Sequence, residues 1–257
     1  MPETDALFSL QGQTALVTGA SSGLGERFAA VLARAGATVI LAARRRDRLA
    51  ALAARIEADG GRAYAVAMDV TDVANIRAAI AEAERLAGAP IEILVNNSGI
   101  SRQAAAIAVE PDDYDAVMAT NTRGAFFVAQ AVARRLIDAK REGRIINIAS
   151  ATGLKPVRQI SVYAISKAAV IHMTRAMAIE WGRYGITVNA ICPGYIETEI
   201  NRDHWPTEGG QKLIATLPRR RIGQPRDLDG LLILLASPGS HFINGAAIAA
   251  DDGLVAG

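Results

Sequence analysis

The stretch Thr18-Gly19-Ala20-Ser21-Ser22-Gly23-Leu24-Gly25 follows a short apolar strand predicted at residues 14–17 and opens a predicted helix. Glycines in such a turn allow tight reversal, bring backbone N–H groups toward a pyrophosphate and let the helix pack close to the sheet. The helix N-terminus adds partial positive charge. The turn therefore predicts a dinucleotide site, formed by Gly19, Ser21, Ser22, Gly23, Leu24 and Gly25. A glycine-rich turn alone is a weak signal, so a plain flexible loop is the alternative.

Short apolar runs alternate with longer helical segments along the rest of the chain. The predicted strands cover residues 14–17, 38–41, 63–67, 91–95, 144–148, 187–191 and 246–249. The predicted helices cover residues 25–35, 48–58, 74–87, 112–139, 162–181 and 227–236. Parallel neighbours need crossover connections. The alternation therefore predicts an α/β fold, a doubly wound Rossmann-type domain whose seven-stranded parallel sheet carries helices on both faces.

Length and composition limit the class of protein. A chain of 257 residues that is 51% hydrophobic and 21% charged is expected to bury one large core. We predict a single domain over residues 1–257. The N-terminus lacks a signal-peptide pattern, no apolar run approaches the roughly 20 residues of a membrane helix, and Cys192 is the only cysteine. We expect a cytoplasmic protein without a membrane partner or a metal site.

Charge does not favour a nucleic-acid partner. The formal net charge is only +2, and the arginines are scattered apart from two triplets, whereas a nucleic-acid footprint is normally broader. The triplet at residues 219–221 is interpreted as a solvated basic face. The triplet at residues 44–46 has a more specific position.

The end of the second predicted strand bears on the type of dinucleotide. An NAD-binding protein usually places an acid here to hold the ribose hydroxyls, but this chain reads Leu41-Ala42-Ala43-Arg44-Arg45-Arg46. Arg44 and Arg45 can supply planar, permanently charged donors for a 2′-phosphate. We therefore predict NADP(H), preferred over NAD(H). A helix-capping basic turn is the alternative.

Tyr163 and Lys167 stand four residues apart in a predicted helix, so their side chains lie on one face. A tyrosine has a reference pKa of about 10 and is a poor acid–base catalyst unless its phenolate is stabilised. An ammonium about 4 Å away, at an effective dielectric constant near 20, contributes about 4 kcal/mol and lowers that pKa by roughly three units. The pair predicts a proton donor, although this spacing also arises by chance.

Ser150 and Asn121 are the other candidate catalytic residues. Ser150 ends the fifth predicted strand, thirteen residues before Tyr163, and can hydrogen-bond an oxygen whose charge changes during hydride transfer. Asn121 lies in the long preceding helix and could orient Lys167 through water. Taken separately, they would be an ordinary turn serine and an ordinary helix asparagine. Their order and spacing beside the tyrosine–lysine pair favour the catalytic interpretation.

Together these motifs resemble the short-chain dehydrogenase/reductase family over about residues 12–253. The resemblance rests on Thr18-Gly19-x-x-x-Gly23-x-Gly25, Asp69-Val70, Asn96-Asn97-Ser98-Gly99, Asn121, Ser150, Tyr163-x-x-x-Lys167 and Pro193-Gly194. It implies the strand order 3-2-1-4-5-6-7. It also implies that Tyr163 is the general acid for ketone reduction and that Ser150 positions the substrate oxygen. Lys167 would bind the nicotinamide ribose and lower the tyrosine pKa, with Asn121 in a water relay behind it.

The resemblance implies further cofactor contacts. Asp69 and Val70 would flank the adenine, Asn96 would lie near the cofactor ribose, and Ile196 and Thr198 would touch the nicotinamide carboxamide. Ser98, Gly99, Tyr163, Lys167, Pro193 and Gly194 complete the predicted cofactor-binding set. Members of the family are usually homotetramers built on the long fourth and fifth helices. For the apolar surface of residues 162–181, a broad core-facing stripe is the alternative.

Three residues depart from the family pattern. Ser98 stands where the family usually has alanine. Ser22 occupies a position where many NADP-preferring members carry lysine or arginine, so the cofactor preference depends on Arg44 and Arg45. Asp252 is an unusual residue in the Asp251-Asp252-Gly253 segment, close to an expected subunit contact.

The segment at about residues 193–218 is predicted to be a substrate loop. It begins at the carboxyl end of a strand, where open α/β sheets bind ligands, and long loops in compact domains often cover a ligand. Candidate pocket residues are Thr152, Leu154, Gln159, Tyr195, His204 and Trp205. For His204 and Trp205, packing within the lid is favoured over contact with the substrate.

The leading functional hypothesis is a reversible NADP(H)-dependent reductase that converts a ketone, as a small-molecule substrate, to a secondary alcohol. A 3-oxoacyl-carrier-protein or acyl-CoA reductase is the runner-up. It would need a basic patch at the mouth of the site, for which the sequence offers only Arg102, Arg158 and Arg175. A non-catalytic dinucleotide sensor on the same fold is a remote alternative, because both Tyr163 and Lys167 are present.

Overall fold

The computed structural model of the chain describes residues 6–199 and 201–256. Its strands are β1 (Thr14–Thr18), β2 (Thr38–Ala43), β3 (Arg62–Ala67), β4 (Ile93–Asn96), β5 (Gly143–Ile148), β6 (Ile186–Pro193) and β7 (Ala247–Ala250). The α-helices in this part of the chain are α1 (Gly23–Arg34), α2 (Arg46–Ala58), α3 (Val73–Ala87), α4 (Pro111–Met118), α5 (Ala125–Asp138), α6 (Ser161–Trp181), α7 (Glu208–Thr216) and α8 (Asp229–Ala236).

The seven strands form one parallel sheet in the order β3-β2-β1-β4-β5-β6-β7, which confirms the predicted topology. The central strands β1 and β4 are buried along their whole length. Strands covered on both faces read as continuous apolar runs rather than alternating ones. The sequence of β1, TALVT, has this character because helices cover both of its faces.

Helices pack on both faces of the sheet, as predicted. One face buries side chains of α1, α2 and α8, such as Phe28, Leu49 and Leu232. The other face buries side chains of α3, α5 and α6, such as Ile76, Val128 and Met177. No helix in the described residues is both long enough and apolar enough to cross a membrane.

The long helix predicted at residues 112–139 is interrupted. A π-helical segment, Ala119–Gly124, separates α4 from α5. Gly124 lies so close to the end of β3 that a Cβ on it would be 2.7 Å from the Val70 carbonyl oxygen. Such π-helical turns are frequent at functional sites, and this one carries Asn121.

Two further boundaries differ from the prediction. The first helix begins at Gly23 rather than Gly25, inside the glycine-rich turn. The predicted substrate loop contains a full helix, α7, which begins after Thr207, whose hydroxyl accepts a hydrogen bond from the Gly210 N–H at 3.1 Å. The helical signal of this segment is weak because two glycines, Gly209 and Gly210, lie in the first turn of α7.

The carboxyl ends of the parallel strands meet at one edge of the sheet. The glycine-rich turn follows β1, Asp69 follows β3, and Ser150 follows β5. The strand order reverses between β1 and β4, and open α/β sheets bind ligands in the crevice at such a point. The predicted site residues are therefore gathered at this edge.

Candidate active site

The glycine-rich turn has a conformation that other residues would not adopt easily. Gly19 and Gly23 have φ angles of +67° and +58°, in the left-handed region that favours glycine. A Cβ on Gly25 would lie 2.3 Å from the Gly19 carbonyl oxygen. Gly25 thus lets α1 pack directly against the turn, which leaves the helix N-terminus open to a phosphate group.

The turn is fastened to the end of β4 through Thr18. The Thr18 hydroxyl accepts hydrogen bonds from the backbone N–H groups of Asn97 at 2.9 Å and Ser98 at 3.0 Å. The Asn97 side chain donates to the Thr18 carbonyl at 3.0 Å. Asn97 therefore supports the turn, a role that its motif alone does not predict.

Asn96 has a different set of partners. Its amide donates to the Ala125 carbonyl at 2.7 Å and to Asn147 Oδ1 at 3.2 Å. The Asn147 side-chain amide in turn donates a hydrogen bond to the Thr174 hydroxyl oxygen at 2.9 Å. This buried chain of polar groups ties β4, β5 and α6 together. Contact between Asn96 and a cofactor ribose stays a prediction.

Arg45 joins the end of β2 to the glycine-rich turn. Its guanidinium donates to Ser21 Oγ at 2.8 Å and to Ser22 Oγ at 2.9 Å. Arg45 is exposed, and the two hydroxyls keep acceptor and donor capacity of their own. Ser22, which replaces the basic residue of many family members, thus lies beside a guanidinium supplied from β2. The arrangement fits a phosphate group.

Asp69 and Val70 follow β3 at the same edge. Hydrogen bonds from Thr71 hold the pKa of Asp69 below its usual range, with a smaller contribution from the charge of Arg44. The Asp69 carboxylate accepts from the Thr71 N–H at 2.9 Å and from its hydroxyl at 2.8 Å. Asp69 is therefore an anionic group in a fixed orientation. The prediction that it flanks an adenine stays untested.

Ser150 and Tyr163 meet between β5 and α6. Ser150 follows β5 and caps the short 3₁₀ turn Ala151–Gly153, and a Cβ on Gly153 would lie 2.8 Å from the backbone of Lys167. This close approach places Ser150 beside the Tyr163 hydroxyl, where hydrogen bonding from the serine favours the phenolate. Ser150 Oγ also accepts from Thr152 Oγ1 at 2.9 Å.

The ionisation of Tyr163 differs from the prediction. Burial raises its pKa, and the hydrogen bond with Ser150 only partly opposes this. The Lys167 ammonium lies 5.6 Å from the centroid of the tyrosine ring. The expected lowering is wrong for this geometry, because desolvation disfavours the phenolate more than the neighbours stabilise it.

Lys167 is buried beside the tyrosine. Its ammonium donates to the Ile148 carbonyl at 2.8 Å, and burial lowers its pKa to about 8. Cys192, on β6, lies near this ammonium, and burial raises the pKa of its thiol to about 11. The lysine therefore holds its proton below about pH 8, while the cysteine stays a neutral thiol.

Asn121 is held by backbone on one side and by α6 on the other. Its amide donates to the Ile100 carbonyl at 2.9 Å and to Ser166 Oγ at 3.0 Å, and its carbonyl accepts from the Ile100 N–H at 2.8 Å. A Cβ on Gly99 would lie 3.4 Å from both Asn121 Oδ1 and Lys167 Nζ. Asn121 and Lys167 thus converge on Gly99, without direct contact.

The start of the substrate loop packs against the glycine-rich turn. Pro193 ends β6, and Gly194 packs against the backbone of Asp251. A Cβ on Gly23 would lie 3.7 Å from the Thr198 methyl group. Ile196 forms a parallel bridge with Gly223. The predicted nicotinamide contacts Ile196 and Thr198 therefore lie at the edge of the same site.

The candidate substrate residues are divided between packing and exposed positions. Trp205 is buried and packs edge-to-face on Tyr195 at 5.9 Å between ring centroids. Its indole N–H donates to Asn201 at 3.3 Å, so the lid-packing interpretation applies to it.

The other candidates differ in their contacts. His204 is exposed and contacts Trp205. Gln159 has a φ of +66° and accepts a hydrogen bond from Gln103. Thr152 is bonded to Ser150, and Leu154 is exposed.

One of the three basic candidates for the mouth of the site is already paired with an acidic residue. Arg102 forms an ion pair with Asp113 at 3.2 Å. Arg158 is exposed, and Arg175 lies near Cys192. In the described residues no three His, Cys, Asp or Glu side chains are grouped so that they could hold a metal ion.

Comparison with known proteins agrees with this site. Residues 13–209 match the family model described as short chain dehydrogenase. The chain is 41% identical to gluconate 5-dehydrogenase of Gluconobacter oxydans, with 96% of each chain covered. It is 35% identical to a 3-oxoacyl-[acyl-carrier-protein] reductase of Thermotoga maritima, over 96% of this chain and 99% of the relative.

A solved structure gives the same result. The crystal structure of a gluconate 5-dehydrogenase from Burkholderia cenocepacia, in complex with NADP and tartrate, is 41% identical and superposes with a TM-score of 0.94, covering 99% of both chains. The family of the chain follows from these matches and from the site. The chain belongs to the short-chain dehydrogenase/reductase family, whose members are oxidoreductases that act on CH–OH groups.

Proposed function

We propose that the protein is an NADP(H)-dependent oxidoreductase that reversibly reduces a ketone to a secondary alcohol, with Tyr163 as general acid and base. The observation that carries this proposal is the placement of the Ser150 side chain beside the Tyr163 hydroxyl, with the buried Lys167 ammonium held on the Ile148 carbonyl next to them. This group lies at the same edge of the sheet as the glycine-rich turn. A hydride donor and a proton donor would therefore meet at one carbonyl.

The residues divide the reduction between them. Ser150 donates a hydrogen bond to the substrate oxygen, and Tyr163 transfers its proton to that oxygen as negative charge develops. NADPH, held by the glycine-rich turn, would supply the hydride for the carbonyl carbon. The Lys167 ammonium then stabilises the tyrosinate, and Asn121 keeps the neighbouring backbone at Ile100 in place. The raised pKa of Tyr163 suits this direction, since a neutral phenol is the form that donates a proton.

The contacts of Arg45 support a preference for NADP(H). Its guanidinium lies on Ser21 and Ser22 of the turn, where an adenosine 2′-phosphate would be reached from β2. Ala43 leaves no carboxylate at the strand end to repel that phosphate. Arg44 adds positive charge near Asp69. The relative from Burkholderia cenocepacia was crystallised with NADP, which agrees with this assignment.

A polyhydroxylated acid or polyol is the first substrate class to test, because two relatives at 41% identity are gluconate 5-dehydrogenases. The 3-oxoacyl reductase is the second candidate, favoured by the Thermotoga maritima relative. An acidic carrier would need cations at the mouth, and one of the three basic candidates, Arg102, is already paired with Asp113.

The experiment is NADPH oxidation with 5-keto-D-gluconate, simple ketones and acetoacetyl-CoA. We expect turnover with a polyhydroxylated ketone, and the reverse reaction with its alcohol and NADP⁺. Activity confined to the thioester would replace the first candidate with the second. Tight NADPH binding without turnover on any of these, or on their alcohols, would favour a dinucleotide sensor.

We also propose a cytoplasmic homotetramer formed by one domain per chain. Exposed apolar side chains on α5 and α6, namely Phe126, Ile165 and Ile179, offer a contact surface. The buried single thiol of Cys192 suits a reducing compartment. Light scattering coupled to size-exclusion chromatography checks the assembly, and a monomer mass would contradict it.

A further inference from the structure

The turn after β7, at residues 251–253, contacts both ends of the substrate loop. At the start of the loop, a Cβ on Gly194 would lie 2.8 Å from the Cα of Asp251. At the far end, a Cβ on Gly253 would lie 3.8 Å from Pro218. The turn therefore lies between two arms. The first arm, residues 193–198, leaves β6, and the returning arm, residues 218–223, comes back from the loop.

Asp252 supplies the charged contacts of this turn. One of its carboxylate oxygens accepts from Arg219 at 3.0 Å, and the other accepts from Arg221 at 2.8 Å. Arg221 reaches Asp227 as well, at 3.2 Å. Arg219 and Arg221 of the basic triplet at residues 219–221 are thus engaged in ion pairs while their side chains remain exposed. The unusual residue of the family pattern is the counter-charge of that triplet.

The backbone at Asp252 has the conformation that this contact needs. Its φ is +58°, in the left-handed region, which aspartate and asparagine tolerate better than most other residues. The two arginines hold the pKa of Asp252 below its usual range, so its carboxylate is charged at neutral pH. An acidic residue is therefore presented to the returning arm at a position where a glycine would offer no charge.

The returning arm also determines where the loop closes. Directly after the triplet, the Gly223 N–H donates to the Tyr195 carbonyl at 2.9 Å, and the Gly223 carbonyl accepts from the Glu197 N–H at 2.8 Å. These bonds hold the two arms side by side. The first arm continues to Thr198, which packs over Gly23 of the glycine-rich turn.

We propose that Asp252 is a positioning residue that latches the returning arm of the substrate loop to the C-terminal turn through Arg219 and Arg221. The latch holds the loop closed beside the active-site edge. This proposal rests on the proposed function only in taking residues 193–218 as the loop that covers the substrate.

Limited trypsin digestion tests the latch without any substrate. The loop and its returning arm carry cleavage sites at Arg202, Lys212 and the triplet. Asp252→Asn removes the charge and keeps a residue that tolerates the left-handed backbone. We expect cleavage in residues 202–221 to be about fivefold faster in this variant than in the wild-type protein at low salt. Asp203→Asn is the matched control, because Asp203 is an exposed loop residue without an ion pair to any described residue.

Salt distinguishes the latch from a general loss of stability. At 1 M NaCl the screening length is about 3 Å, so cleavage of the wild-type loop should accelerate toward the rate of Asp252→Asn. Cleavage of the Asp252→Asn loop should not accelerate with salt. The activity of trypsin at each salt concentration is measured on a peptide substrate, and the cleavage rates are normalised to it. Asp252→Gly, which relieves the backbone strain, should melt no lower than the wild type and still be cleaved faster.

Wild-type cleavage rates in both Asp252 variants, or an undiminished salt response in them, would overturn the proposal. A failure of the proposed function would appear separately, because the digestion is independent of turnover. In the steady state, Asp252→Asn should raise the KM for the carbonyl substrate about threefold, with kcat nearly unchanged. Equal losses in Asp203→Asn would also contradict a specific latch.

Discussion

The catalytic groups and the substrate loop lie next to each other but are held by different kinds of contact. Ser150, Asn121 and Lys167 are buried, and each is bonded to backbone or to a neighbouring buried side chain. The loop is held partly by backbone hydrogen bonds and partly by exposed ion pairs, such as those of Glu199 and Asp252. Buried hydrogen-bonded groups are costly to displace, whereas surface ion pairs contribute about 0–1 kcal/mol each. The chemistry is therefore fixed, and the substrate contacts are adjustable.

The largest expected loss of stability comes from a substitution in the glycine-rich turn, which belongs to the rigid part of the site. Gly25→Ala places a methyl group 2.3 Å from the Gly19 carbonyl oxygen, and a backbone atom cannot move away as a flexible side chain can. We expect a loss of at least about 2 kcal/mol in the free energy of unfolding and a loss of NADPH binding. Urea denaturation and fluorescence titration measure both.

Gly230→Ala is the control for that substitution. Gly230 lies in α8 with open space around its Cα, so alanine should stabilise the protein by up to about 1 kcal/mol. If Gly25→Ala behaved like Gly230→Ala, the glycine-rich turn would be less constrained than the structure indicates.

Arg45→Ala tests the cofactor end of the rigid region. The guanidinium on Ser21 and Ser22 would lose its contact with a 2′-phosphate, and a charged hydrogen bond contributes about 1.5–3 kcal/mol. We expect the Kd for NADPH to rise about 10- to 100-fold and the Kd for NADH to change little. Arg46→Ala, which removes the next arginine in the chain, should leave both nearly unchanged. An equal loss for NADH and NADPH would contradict the preference for NADP(H).

The pH dependence follows from Lys167. Burial lowers its pKa to about 8, so the ammonium is present below that pH and is lost above it. We expect kcat for ketone reduction to fall about tenfold per pH unit above about pH 8, since the tyrosinate then loses its stabilising charge. The raised pKa of Tyr163 predicts that alcohol oxidation increases over the same range. Stopped-flow measurements in both directions check this, and a flat reduction profile to pH 10 would contradict it.

Part of this comparison could be predicted from the sequence. The strand order, the glycine-rich turn and the tyrosine–lysine pair depend on local patterns, and those elements lie where they were expected. The partners of Asn121, the support given by Asn97 and the pairing of Asp252 with Arg219 join residues 21, 79 and 33 positions apart. Spacing alone does not define such contacts. The predicted lowering of the Tyr163 pKa is wrong for a similar reason. Burial raises this pKa, and burial is a property of the packed molecule that residue spacing does not show.

The smallest expected effect comes from an exposed ion pair of the substrate loop. Glu199→Gln breaks the ion pair with Arg48, whose two side chains are about half exposed. We expect a change below about 1 kcal/mol in stability and less than a twofold change in KM. Calorimetry and steady-state kinetics measure these, and a loss of tenfold or more would place the loop among the rigid parts of the site.

Tyr163→Phe tests most directly whether Tyr163 donates the proton. In Tyr163→Phe, the ring and its packing remain and only the hydroxyl that bonds to Ser150 is lost. The account predicts that NADPH oxidation with the best ketone falls at least about 10³-fold, while the Kd for NADPH measured by fluorescence stays within about twofold. Turnover retained within tenfold of the wild type, with NADPH still bound, would contradict the account.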